Sequence, residues 1–210
     1  MLYVTGSTLH AIIPTTILGR DARDRPGTHH TTQDVQWRSA ITRIFDFRTA
    51  KVVEWQNVSL VSSGRYVPSN NVQYVRDFVR RYERYFDDAF QVVIERQMRC
   101  NMRIVESVVH ALFYDRCIIV SARSVKLHYD LSTKNYRMNK QKAVDWAKEF
   151  IARNPQAFND GLVSRAFSGV KKQDDLADSL LLVMYYLDTY SNQLTGDLVD
   201  DLVLDGLLQG

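Results

Sequence analysis

The sequence predicts an α/β fold with a mixed central sheet, an antiparallel hairpin and flanking helices. Residues 91–121 contain an apolar run that ends in Glu95, a helical periodicity and a second apolar run, CIIVS. This order is a strand–helix–strand unit, whose two strands lie parallel with a right-handed crossover. Residues 41–60 alternate in polarity on both sides of a polar turn, which is typical of a hairpin.

The elements follow one another along the chain. The first segment, 1–40, is irregular. After the hairpin, apolar residues recur every three or four positions over 71–90, which predicts one amphipathic helix of about five turns. Its predicted buried face consists of Val72, Val75, Val79, Tyr82 and Phe86.

The next predicted elements are strands at 91–95 and 117–121 with a helix between them. That helix buries a face made of Met98, Met102, Val105, Val109, Leu112 and Phe113. Two further helices are predicted over 140–153 and 174–188, and a short one near 198–203. The chain therefore divides into the irregular segment 1–40, a core domain over 41–190 and an acidic tail over 191–210.

The composition is that of an ordinary globular protein. The chain has 210 residues, of which 45% are apolar and 24% charged, so it can bury a core without disulfides or a structural metal. Its apolar runs are too short to span a membrane, and its two cysteines lack CxxC spacing. We expect an intracellular, reduced and soluble protein.

Charge is distributed unevenly, although the net charge is only +3. Residues 122–142 hold six lysines and arginines against the single acid Asp130, and residues 96–103 hold three arginines. The last twenty residues hold four aspartates and no base. This polarity suits a protein with one face turned toward phosphate, and an ordinary solvated surface is the alternative explanation.

Glu95 is the first candidate for chemistry. It ends a buried strand, at the position where α/β sheets place ligands. A structural salt bridge to Arg96 or Arg99 would explain it equally well.

Asp174, Asp175 and Asp178 open an otherwise apolar helix. Asp175 and Asp178 are three residues apart and share a helix face. Acids in a first turn favour the helix dipole, and paired carboxylates also suit Mg²⁺, so capping and metal binding both stay open. Together with Glu95, these acids would form the kind of cluster that hydrolyses phosphodiesters with two metal ions. GxSxG, Walker and HExxH motifs are absent from the sequence.

Three runs of sequence carry a resemblance to a known family. They are VVIERQMRCNMRIVESVVHALF, CIIVSARSVKLHYDLSTKNYRMNKQKAV and KKQDDLADSLLL. Over roughly 41–187 the chain resembles the RuvC-like Holliday junction resolvases of poxviruses, iridoviruses and related large DNA viruses. It more distantly resembles the mitochondrial resolvases of fungi.

The resemblance implies an RNase H-like fold and a homodimer that nicks four-way DNA junctions at paired positions. It implies two Mg²⁺ ions per active site, for which Mn²⁺ would substitute. Glu95 matches the strand-end metal ligand, Asp175 and Asp178 the ligand pair on the last core helix, and Lys172 the basic residue before them. Asp21, which follows the apolar Ile17 and Leu18 of a possible first core strand, matches the aspartate of the family's first strand, and Asp24 is a second candidate one residue out of register.

The sequence around Asp21 departs from the family pattern. Arg20 replaces an expected apolar residue and Arg23 an expected glycine, so a catalytically impaired protein that binds branched DNA is the alternative function. In either case we expect several basic side chains to contact phosphates, with binding that weakens steeply in salt. These side chains are Arg96, Arg99, Arg103, Lys126, Lys134 and Arg137.

The predicted helix within 98–113 is apolar on more than one side. The helix within 98–113 carries Ile104, Val108 and Ala111 on the side opposite its buried face, and we expect this side to contact a second subunit, with burial inside a single subunit as the alternative. The resemblance implies a site of viral replication within the host cell.

Overall fold

The computed structural model describes most of the predicted core. The described residues are 10–15, 39–46, 51–61, 66–98, 100–161, 167–170 and 173–190. Ile17, Leu18, the predicted helix near 198–203 and the acidic tail lie outside them.

Five strands and six α-helices are described. The strands are β1 (His10–Thr15), β2 (Ser39–Asp46), β3 (Lys51–Ser59), β4 (Ala89–Glu95) and β5 (Cys117–Val120). The helices are α1 (Asn71–Arg81), α2 (Glu83–Asp88), α3 (Cys100–Leu112), α4 (Ala122–His128), α5 (Tyr136–Arg153) and α6 (Gln173–Tyr190). Short 3₁₀ turns occupy Pro68–Asn70 and Pro155–Gly161.

The strands form one sheet in the order β3-β2-β1-β4-β5. β2 pairs antiparallel with both β3 and β1. β1 pairs parallel with β4, and β4 pairs parallel with β5 across the α3 crossover. The predicted strand–helix–strand unit is confirmed, and the class is α/β.

Helices cover the two faces of the sheet. On one face, Val92 and Ile94 of β4 pack in a cluster with residues of α1, α2 and α3. On the other face, Val93 packs with residues of α5 and α6. Successive residues of a strand point to opposite faces, so the apolar run of β4 serves both layers and is buried throughout.

The prediction of a single helix over 71–90 is wrong. α1 ends at Arg81, because Tyr82 leaves the helical region (φ −111°, ψ 18°) and its N–H is shared between the carbonyls of Phe78 and Val79. Ala89 is extended and pairs with His10 of β1. Pairing within the sheet therefore overrides the helical periodicity of the last two residues.

Three apolar residues assigned to buried helix faces are exposed instead. Val72 is 49% exposed, Leu112 is 47% exposed, and Met98 is 89% exposed and precedes α3. The rest of the α3 face is buried as predicted. α5 begins four residues before the predicted start, because the Asn135 side chain caps its first N–H groups. α4 was not predicted.

Within the described ranges, every helix is either too short or too polar to cross a bilayer.

Candidate active site

Three aspartates occupy the first two turns of α6. Asp175 is fully buried, and the Asp178 side chain is 15% exposed. Asp174 and Asp175 lie in the first turn, where the helix dipole favours negative charge. A buried carboxylate loses hydration, so this cluster needs positive charge nearby.

Lysines from two other helices supply that charge. Lys140 of α5 donates a hydrogen bond to the carboxylate of Asp174, and Lys126 Nζ of α4 lies 3.5 Å from Asp178 Oδ1. Burial alone would lower the pKa of Lys140, but the bond to Asp174 more than offsets it and the pKa is raised. The N-terminal turns of α5 and α6 are thereby joined by an ion pair.

The pKa of Asp178 is raised above its usual value. The largest cause is burial, which disfavours the charged carboxylate, and it outweighs the opposing charges of Lys126 and Lys140. The anionic form of Asp178 is therefore held at a cost, which further positive charge would reduce.

Glu95 ends β4 and lies on the same face of the sheet as α6. It is two residues from Val93, which packs in the cluster containing Leu176 and Leu180 of α6. By strand alternation Glu95 shares that face with Val93. This half-buried glutamate and the α6 aspartates thus belong to one layer of the molecule.

The loop after Glu95 is held by hydrogen bonds on both sides. Arg96 N donates to Val120 O of β5 at 2.7 Å. Gln97 N donates to the Glu106 carboxylate of α3, and Gln97 Nε2 donates to Glu95 O at 3.0 Å. Glu106 therefore fixes the backbone two residues beyond Glu95.

β1 lies beside β4 at this end of the sheet. Ile12 pairs with Val92, so Thr15 at the end of β1 and Glu95 at the end of β4 each lie three residues beyond that pair, toward the same end of the sheet. The six residues of β1, HAIIPT, contain no carboxylate. Asp21 follows the end of β1 by six positions and lies outside the described residues, as do Lys172 and Arg99.

The basic side chains predicted to contact phosphate have different surroundings. Arg96, Arg103, Lys134 and Arg137 are exposed. Lys126, in contrast, is directed at Asp178. Lys140 and Glu106 were missed from the sequence. Lys140 stood within the basic segment 122–142, but its partner Asp174 is 34 residues away, and no local motif links them.

Comparison with known proteins identifies the family. A family model described as "Poxvirus A22 protein" matches residues 43–189, which is well over half of the chain. The chain belongs to the poxvirus A22 protein family. The search of curated proteins gave no match.

Solved structures share the fold of this poxvirus A22 family member. The fowlpox virus Holliday junction resolvase superposes with a TM-score of 0.51 at 17% identity, covering 72% of this chain and 92% of that one. The fowlpox resolvase in complex with its substrate Holliday junction DNA gives 0.52 at 16%, covering 74% and 94%. The yeast mitochondrial Holliday junction resolvase Ydc2 gives 0.54 at 15%, covering 90% and 86%.

The carboxylate oxygens at this site in the A22 family member are of the type that binds hard divalent cations. Carboxylate oxygens are what Mg²⁺ prefers, and burial, which raises the pKa of Asp178, makes its charged form more dependent on neighbouring cations. Within the described ranges, however, no three Asp, Glu, His or Cys side chains are grouped closely enough to hold a metal ion. The three-carboxylate site of Glu95, Asp175 and Asp178 thus stays a prediction.

Proposed function

We propose that this chain is a Mg²⁺-dependent, structure-selective endonuclease that resolves four-way DNA junctions by paired nicks. It would act in recombination or replication of a large DNA virus, at the replication site in the infected cell. The observation that carries the proposal is the family match over 43–189, whose span includes Glu95, Asp175 and Asp178. The fold shared with three resolvase structures supports it.

Glu95, Asp175 and Asp178 are the residues that would hold Mg²⁺, with Asp21 and Lys172 as further candidates beyond the described ranges. Bound Mg²⁺ would activate water and neutralise charge that develops on the phosphate. Mn²⁺, as another oxygen-preferring cation, would substitute.

The chain's own residues have separate tasks in this proposal. Lys140 keeps the first turn of α6 attached to α5 through Asp174. Glu106 holds the loop that follows Glu95. Arg96, Lys134 and Arg137 are exposed and would bind phosphates without reading sequence.

A homodimer through α3 is part of the proposal. Met102, Val105 and Val109 on the inner side of α3 are buried, whereas Ile104 is 44% exposed on the outer side. Between α1 and the outer side of α3 lies an open apolar groove of about 550 Å³. Its lining includes Val72, Cys100, Ile104, Val108, Ala111 and Leu112. A second copy of α3 would cover this apolar surface.

A protein that binds branched DNA without cutting it is the second candidate. The lack of a carboxylate on β1 favours it, because three acids would hold one cation but not two. Calorimetric titration of Mg²⁺ into the purified chain separates the candidates: two sites support the nuclease and one supports the binding protein.

The direct test is cleavage of an end-labelled four-way junction by the purified chain in Mg²⁺. Paired nicks that disappear in EDTA are expected. Intact binding without any nicking would overturn the nuclease and leave the binding protein. Asp145→Asn, at an exposed aspartate of α5, is the matched control for the active-site variants and should cut normally.

A further inference from the structure

Two exposed apolar side chains near the α6 aspartates are not used in the function proposed above. At the start of α5, Tyr136 is 62% exposed and Met138 is 51% exposed. A single exposed apolar side chain is ordinary on a protein surface. The backbone that carries these two side chains, however, is unusually well fixed.

A network of side-chain hydrogen bonds holds the turn 133–139. Asn135 Oδ1 accepts from the N–H groups of Arg137 at 3.0 Å and Met138 at 3.3 Å. Asn139 Oδ1 accepts from Thr133 N at 2.7 Å, and Asn139 Nδ2 donates to Thr133 O at 3.0 Å. The exposed side chains are therefore presented from a rigid base, which lowers the entropy lost when a ligand binds them.

The Tyr136 ring is connected to the acidic site. Lys140, one helical turn later, places Nζ 5.3 Å from the ring centroid, while its ammonium bonds to Asp174 of α6. One face of the ring thus contacts a cation, and the exposed part of the ring is left for another partner. The ring is thus linked through Lys140 to Asp174, which is the sequence neighbour of the proposed metal ligand Asp175.

Two cationic residues, Lys134 and Arg137, flank Tyr136 in sequence. Lys134 and Arg137 are exposed, and among the described residues no carboxylate lies within ion-pair distance of either. An exposed aromatic side chain with cationic neighbours in sequence is a combination that binds single-stranded nucleic acid: the ring stacks on a base and the cations hold the adjoining phosphates.

We propose that Tyr136 is a stacking platform for an unstacked base of branched DNA, with Lys134 and Arg137 on the flanking phosphates. The inference rests on the proposed junction-binding function and adds the part of the substrate that this surface contacts. Bases within a duplex are stacked on each other and closed to the ring, whereas a base pair at an open branch point or a base in a single strand can expose a face to it. The platform would therefore help to distinguish branched from regular DNA.

Binding measured by fluorescence anisotropy in EDTA tests the platform without cleavage. The probes are a labelled four-way junction, an oligothymidine single strand and a linear duplex. Tyr136→Leu should weaken binding to the junction and the single strand on the order of tenfold, with binding to the duplex unchanged. Tyr136→Phe, which keeps the ring, should bind all three as the wild type does.

Salt dependence separates stacking from charge. The slope of log K against log salt should be unchanged in Tyr136→Leu, because no phosphate contact is lost. The slope should fall by about one in Lys134→Ala. Tyr114→Leu, at a tyrosine that is 78% exposed on the loop after α3, is the matched control and should bind normally.

The outcomes distinguish the two proposals. Wild-type preference for the junction combined with unchanged binding by Tyr136→Leu overturns the platform alone. Equal loss on all three probes also overturns it, because that result indicates general damage. A wild-type chain that binds the junction no better than the duplex overturns the junction-binding function and the platform with it.

Discussion

At the residue scale, the α6 aspartates depend on lysines for their charge balance. Lys126 and Lys140 approach from two other helices and meet Asp178 and Asp174. Asp178 lies in the second turn of α6, beyond the first-turn N–H groups that a helix cap satisfies, so capping does not explain it. Asp178 is therefore the residue at which function and folding can be separated.

Asp178→Asn should reduce cleavage by orders of magnitude, because a principal attraction for Mg²⁺ is lost. Junction binding should persist or tighten, since a negative charge near phosphate is removed. The free energy of unfolding without metal should stay within about 1 kcal/mol of the wild type or rise, because burial makes the carboxylate costly. Nicking assays, anisotropy and thermal melting in EDTA measure the three effects. An Asp178→Asn variant that melts at a lower temperature than the wild type but nicks normally would show that Asp178 has a structural role.

Glu106→Gln tests the loop that follows Glu95. Glutamine can still accept a hydrogen bond from Gln97 N, but the bond loses its charge-assisted strength. We expect the free energy of unfolding to fall by roughly 1 kcal/mol, measured by urea denaturation. Glu149→Gln is the control: Glu149 pairs with Arg153 on an exposed face, so its loss should change stability by less than about 0.5 kcal/mol. Equal changes in the free energy of unfolding of both variants would show that Glu106 stabilises the fold no more than an exposed ion pair does.

At the element scale, α4 is connected to the C-terminal end of α6 by a shared carboxylate. Tyr129 Oη donates to Asp188 Oδ2 at 2.6 Å, and His128 Nε2 lies 3.0 Å from the same oxygen. Burial raises the pKa of Tyr129, and the bond to Asp188 raises it further. The phenol therefore stays protonated in the folded chain at pH values where the unfolded chain ionises.

This difference predicts instability at alkaline pH with a definite sign. Above the ordinary pKa of 10.0 the folded state holds more protons than the unfolded state, so the free energy of unfolding falls as pH rises. Tyr129→Phe should be less stable than the wild type at pH 7, by roughly 1–2 kcal/mol, but should lose less stability between about pH 10 and 11.5. Chemical denaturation across that range measures it. Tyr114→Phe should follow the wild-type profile, and a parallel profile for Tyr129→Phe would contradict the assignment.

Some of the strands and helices could be predicted from the sequence, and others could not. β4, α3 and β5 were predictable because their periodicity and their burial agree. The break at Tyr82 was not, because the apolar spacing continues through it, and the change to strand at Ala89 depends on pairing with His10, which is distant in sequence. In the candidate site, the shared face of Asp175 and Asp178 followed from helical spacing. The pairing of Lys140 with Asp174 could not be predicted, since it needs the packing of α5 on α6.

At the scale of the whole molecule, the outer side of α3 predicts assembly. Size-exclusion chromatography with light scattering should give a dimer at micromolar concentration, and Ile104→Asp should give a monomer, because a charge would be buried in the contact. Leu127→Asp, at a residue 57% exposed on α4, is the matched control and should remain dimeric. A wild type that is strictly monomeric would count against the dimer.

The position of β1 in the sheet has a consequence for how the chain folds. β1 is the first strand in sequence, yet it lies in the middle, between β2 and β4. The β2–β3 ribbon closes over a short loop and can form quickly, whereas joining β1 to β4 requires closing a loop of roughly eighty residues. Until that loop closes, the ribbon and the β4–β5 pair are separate halves with exposed edges. The parallel β1–β4 contact is therefore the step on which the folding rate, and the risk of aggregation before it, should depend.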